Sequence, residues 1–172
     1  MANEKHAVIR TDNMMGTDVG TYLDSVRFFD SNNKAAAIDN GNVVVVGALL
    51  EGERELHKAT APTAAADLDT IGLVATPEVM YDERKKNLYD FYNEAGTNVR
   101  VYYLHHGDEF GVTEEALVAA DITAVKVGDA VELMAGTKLK VAASATSGST
   151  QVGKIIAIEK AGRYTYYVVR VD

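Results

Sequence analysis

The sequence predicts a mainly β fold, a small β-barrel or β-sandwich with one or two short helices and an extended N-terminal arm. Three observations lead there: valine-rich runs separated by glycine, a turn-to-strand phrase used three times, and an alternating hairpin pattern at the C-terminus. The expected division is an N-terminal arm or edge strand over residues 1–30 and a single β-rich domain over residues 31–172. A chain of 172 residues can bury a real core without a disulfide or metal staple.

The repeated phrase is a tight turn that opens a strand. Its copies are Ile38-Asp39-Asn40-Gly41-Asn42-Val43-Val44, Glu94-Ala95-Gly96-Thr97-Asn98-Val99 and Val125-Lys126-Val127-Gly128-Asp129-Ala130-Val131. Glycine supplies positive φ, and Asn or Asp tolerates that region. After the second and third copies apolar and polar residues alternate, whereas Val43 to Val46 is apolar on both faces and implies a more fully buried strand.

The C-terminal hairpin pairs Val152–Glu159 with Tyr164–Val171 across a turn at Lys160-Ala161-Gly162-Arg163. In the last strand Tyr164, Tyr166 and Val168 share one face, and Tyr167, Val169 and Val171 the other. Two apolar faces imply a central strand or one covered by a partner. Elsewhere, Leu88, Phe91, Tyr92 and Ala95 at helical spacing predict a helix over residues 83–94 stopped by Gly96. Thr113 before Glu114-Glu115 predicts an N-cap and first helical turn, and Ala59 to Asp69 around Pro62 reads as a surface loop. The opening thirty residues have scattered apolar positions, Val8, Ile9, Met14 and Met15, too few for a core of their own. An edge strand and an arm lying on another subunit both fit, and the arm is preferred because terminal segments are mobile unless tied down.

Composition narrows the function classes. A formal charge of −8 disfavours nucleic-acid binding, which depends on Lys and Arg neutralising phosphates. With no cysteine, thiolate metal sites and cysteine nucleophiles are excluded. No segment is apolar enough for a membrane span or a secretory leader, so synthesis in the cytoplasm is expected. No phosphate-binding glycine loop or nucleophile elbow occurs.

One phrase needs separate treatment. His106-Gly107-Asp108-Glu109-Phe110 resembles the Gly-Gly-Asp-Glu-Phe signature of diguanylate cyclases. The Asp-x-Asp strand followed by Phe-Lys and an Asn-Asp pair, which would hold the metal ions, does not precede Arg100. A type I turn between strands explains Gly107-Asp108 instead. Adjacent His105 and His106 would point to opposite faces of a strand and cannot chelate one ion. No catalytic, cofactor or metal site is expected, and the chain reads as a non-enzyme.

Several longer phrases resemble capsid decoration (cement) proteins, small head-associated proteins of tailed phages of Firmicutes. They are the opening Ala2 to Met14, Ala37-Ile38-Asp39-Asn40-Gly41-Asn42-Val43-Val44, Met80-Tyr81-Asp82-Glu83, Leu139-Lys140-Val141 and Gly162-Arg163-Tyr164-Thr165-Tyr166-Tyr167. The resemblance implies a virion protein on the capsid exterior, bound to the major capsid protein and bridging its subunits. It also implies a homo-oligomer, with a trimer favoured, and no contact with nucleic acid or membrane. On this reading Val8, Ile9, Arg10 and Met14 would clamp the capsid, and Tyr89, Phe91 and Tyr92 would join an inter-subunit contact. Tyrosine suits such a role because it buries much area at low entropic cost. A tail or head-fibre component, and a small-ligand-binding barrel or enzyme, remain alternatives.

Overall fold

A computed structural model describes residues 5–172. It is mainly β, as expected, and contains both a closed barrel and an open sheet.

Strand β1 is Ile9–Asn13, and a single turn of helix, α1, follows at Met15–Asp18. The barrel then takes β2 (Leu23–Phe28), β3 (Val43–Leu49), β4 (Leu56–Thr60), β5 (Ile71–Val74) and β6 (Val99–Tyr103). Its circular order is β2-β4-β3-β5-β6, with β2 and β4 parallel and the other pairs antiparallel. The remaining strands are β7 (Glu109–Val112), β8 (Leu117–Val118), β9 (Ala130–Glu132), β10 (Leu139–Ala142), β11 (Gln151–Ala161) and β12 (Tyr164–Val171). With β1 they form a seven-stranded sheet in the order β1-β7-β12-β11-β9-β10-β8.

Period-two alternation explains how both sheets share their side chains. On β3, Val44 enters the barrel interior with Val26, Phe28, Ala59, Val74, Val99 and Val101. Its neighbour Val43 points outward, joining Leu73 and Tyr102 against Phe110, Val112, Leu133 and Val169 of the open sheet. Each fully buried valine or leucine contributes about 1.5–3 kcal/mol relative to exposure. The barrel is tight: a Cβ on Gly72 would lie 2.8 Å from Val101 Cβ. The final strand is central, between β7 and β11, which accounts for its two apolar faces.

Three expectations are corrected. Of the two readings for residues 1–30, the described part follows the edge strand and not the preferred arm. β1 is the sheet's edge strand, paired with β7, and β2 is a barrel strand paired on both sides; the first four residues of the expected arm lie outside the described residues. Val8 is held in both directions by Thr113, whose hydroxyl accepts from the Val8 amide (3.1 Å) and whose own amide donates to the Val8 carbonyl (3.0 Å). That duty replaces the expected N-cap, and Glu114–Ala116 is only a 3-10 turn.

The helix expected over residues 83–94 is the third correction. Only Leu88–Asp90 is helical, as a single 3-10 turn. Backbone groups a helix would use are claimed elsewhere: the Leu88 amide donates to the Tyr164 hydroxyl (3.0 Å), and the Tyr89 carbonyl accepts from the His6 amide (3.0 Å). Among the described residues no helix is long and apolar enough to cross a membrane.

Candidate interaction surface

The apolar residues expected to clamp a partner are spent inside this chain. Val8 is 1% exposed and Met14 2%, and Ile9 packs with Met14 in the large core cluster. All three are buried, so none is open to another molecule while the sheet is intact. Arg10 lies on the outer face of β1, where it binds Asp12 and Glu159 (2.7 Å) and covers the Tyr166 ring (5.0 Å to the centroid). Its hydrogen bonds to Asp12 and then to Glu159 raise its pKa still further.

Tyr89, Phe91 and Tyr92 are half-buried and do come together with residues the reading did not choose. Tyr89 packs on Tyr164, with ring centroids 4.8 Å apart, and the Lys5 ammonium lies 5.2 Å above it. Burial, then the charges of Glu115 and Glu114, push the Tyr89 hydroxyl up to about 12. Tyr92 stacks on His6 at 4.5 Å, with Lys85 at 5.3 Å, and His6 bonds to Asp39 (2.8 Å). Arg163 reaches Asn87, joining the tip of the β11–β12 hairpin to this region. The result is a strip of rings bordered by cations, Tyr89 on Tyr164 and Tyr92 on His6, joined through the His6–Tyr89 backbone bond.

These aromatics belong to the connection between β5 and β6, residues 75–98, which is long for a compact domain and lacks strand or α-helix. It is nevertheless tied down. Asn40, fully buried, donates to the Thr76 carbonyl (2.8 Å) and Glu78 (3.1 Å), and accepts from the Thr76 amide and from Asn93. Ile38 and Asn93 exchange backbone hydrogen bonds of 3.0 Å each. Between these anchors the loop carries Val79 at 58% exposure and Tyr81 at 94%. Beside them Met80, Tyr81, Phe91 and Tyr92 help line a groove of about 480 Å³. Tyr81 belongs to the Met80-Tyr81-Asp82-Glu83 phrase but is not among the residues expected at the contact. Its signal was a tyrosine beside Val79 and Met80, just ahead of the charged run Asp82 to Lys86, with no alternating partner.

The cyclase-like phrase is a fourth copy of the turn-to-strand device. The Asp108 amide donates to the His105 carbonyl (3.0 Å), and its carboxylate accepts from the His105 amide (2.9 Å). Lys126 and Asp129 repeat both bonds, at 3.2 and 3.0 Å. In each turn the glycine amide donates to a neighbouring strand residue that in turn donates to the aspartate carbonyl, Val171 for Gly107-Asp108 and Ile155 for Gly128-Asp129. The glycines have φ of +92° and +96°, so the Gly107 turn has the positive φ of type II and not the expected type I. Asp108 also accepts from the Met15 amide (2.8 Å) and is buried. Replacing it by Asn leaves one of these amides facing an NH2 group, so Asp108→Asn is expected to cost about 1–3 kcal/mol in urea unfolding. An unchanged midpoint would contradict this role. Among the described residues no three His, Asp or Glu side chains are grouped to hold a metal ion.

Nothing matched in comparisons with known protein families, with curated proteins or with solved structures.

Proposed function

We propose that this chain is a non-enzymatic structural protein of the virion, made in the host cytoplasm, that binds the exterior of the mature capsid. Its partner would be the major capsid protein, neighbouring copies of which it bridges as a homo-oligomer, with a trimer favoured. The observation that carries the reading is the tethered loop of residues 75–98, which offers Val79 and Tyr81 to solvent from a base pinned by Asn40, Asn93 and Tyr164. A loop already ordered before contact loses little entropy on docking, and an exposed tyrosine is a common binding anchor. Phrases that resemble those of decoration proteins, including Met80-Tyr81-Asp82-Glu83 on this loop, favour the same partner. The non-enzymatic part draws support from Asp108 and Asp129, whose carboxylates hold backbone amides.

The contact moves from β1, where the sequence put it, to the loop. Cosedimentation with expanded, undecorated shells tests it. Tyr81→Ala combined with Val79→Ser is expected to weaken attachment about 10- to 30-fold with an unchanged melting temperature. Undiminished attachment would remove the loop from the proposal, and failure of the wild-type chain to bind shells would remove the capsid.

A further inference from the structure

The hairpin joining β3 and β4 projects beyond the barrel. Every residue from Gly47 to Glu55 is exposed except Leu50, which is half-buried, and Leu49 is 46% exposed. Its tip, Glu51-Gly52-Glu53-Arg54-Glu55, carries three carboxylates against one guanidinium. A two-stranded hairpin gains little stability by itself in water, and one exposed on both faces gains least.

An opposite charge pattern lies on the tyrosine strip. Lys5 covers Tyr89, Lys85 covers Tyr92, Lys86 adjoins Lys85, and Arg163 holds Asn87. None of these four cations forms an ion pair among the described residues. Of the neighbouring acids, Asp82 binds Arg84, which holds its pKa down at about 2, Asp90 accepts from the amides of Lys86 and Asn87, and Glu114 and Glu115 lie close enough to act on Tyr89. Two of these cations stand over aromatic rings, Lys5 over Tyr89 and Lys85 over Tyr92, on a chain whose net charge is −8.

We propose that the Glu51–Glu55 tip of one copy docks on the Lys5, Lys85, Lys86 and Arg163 face of a second copy, with Leu49 against the tyrosine rings. The inference rests on the homo-oligomer in the functional reading and names its interface. Each copy offers one tip and one face, so the contact closes either reciprocally about a two-fold axis or head-to-tail as a ring. Carboxylates meeting cations over tyrosine steer the encounter and exclude the tip-to-tip and face-to-face alternatives, which set like charges together. Nucleic acid is the rival polyanion for this face, but four cations on an acidic chain make a weak site for it.

Sedimentation velocity of the purified full chain tests the contact. The wild type is expected to associate at about 50 mM salt and to weaken at about 500 mM, where screening is several-fold shorter in range. Lys85→Glu with Lys86→Glu, and separately Glu51→Lys with Glu53→Lys, are expected to weaken association at least about tenfold. All four changes combined restore complementarity and are expected to restore the oligomer, which a misfolded variant cannot do. A monomeric wild type, an oligomer indifferent to either pair, or no recovery in the combined variant would overturn the interface. So would binding of a fluorescent oligonucleotide to the wild type without self-association. The measurement needs no capsid, so a monomer that still attaches to shells refutes this contact alone, and an oligomer that ignores shells refutes the capsid alone.

Discussion

Gly153→Ala is expected to lower stability by at least about 3 kcal/mol, or to prevent folding, although it adds a single methyl group. A Cβ at this position would lie 1.9 Å from the Arg170 carbonyl oxygen, 2.8 Å from its carbon and 3.0 Å from Val171 Cα. All three atoms are backbone, so no rotamer change relieves the overlap. Gly153 sits where β11 shifts register against β9, and it pairs with Val171 on β12 and Val131 on β9. Relief would require the β11–β12 hairpin to spread, breaking the ladder that carries Ile155, Val169 and Val171 into the core. Gly20→Ala is the control, since nothing lies within 4 Å of its Cβ and its φ is not positive. Urea midpoints compare the two. A Gly153→Ala protein with the wild-type midpoint would mean that the strands are paired differently.

Sequence and structure agree where the relevant forces are local. The C-terminal hairpin follows from alternation over a few residues and a glycine turn. The strand entries at Gly41, Gly96 and Gly128 all have positive φ, between +81° and +96°, because each turn is closed by residues three apart. The same local logic extends to Gly107, where a borrowed catalytic signature hid it.

Errors arose where a segment's partners are remote. Val8 and Ile9 look too sparse for a core because their partners lie about a hundred positions downstream, Phe110 and Val112 for Ile9 and Thr113 for Val8. The spacing of Leu88, Phe91 and Tyr92 looks helical, yet Tyr164 and His6 take the backbone groups a helix would need. The Asn40–Asn93 knot is invisible in sequence for the same reason: two amides pair only after β3 and the loop have been brought together. Of the residues chosen for contact, the aliphatic ones turned out to be core. The tyrosines stayed at the surface because their hydroxyls need partners or water.

Glu132 should provide the clearest pH-dependent element of stability. It is fully buried on β9, opposite Lys140 on β10, whose ammonium is 3.3 Å away. Burial pushes its pKa up, but the Thr146 amide and hydroxyl and the Lys140 charge outweigh burial and leave it below the ordinary value of 4.5. Lys140 also donates to the Thr146 hydroxyl (2.8 Å), so one carboxylate anchors both β10 and the loop before β11. Glu132→Ala leaves the Thr146 amide without its acceptor and removes the partner of Lys140, at an expected cost of about 3–5 kcal/mol near neutral pH. The pH dependence has a fixed sign. With the folded value depressed, the unfolded chain binds the proton first, so the carboxylate's contribution is complete above about 4.5 and is lost as pH falls through the folded value. The stability gap between wild type and Glu132→Gln should therefore narrow on acidification through that range, measured by urea unfolding at a series of pH values. A gap that widened would mean that Glu132 is protonated in the folded protein, with Lys140 answering to another group.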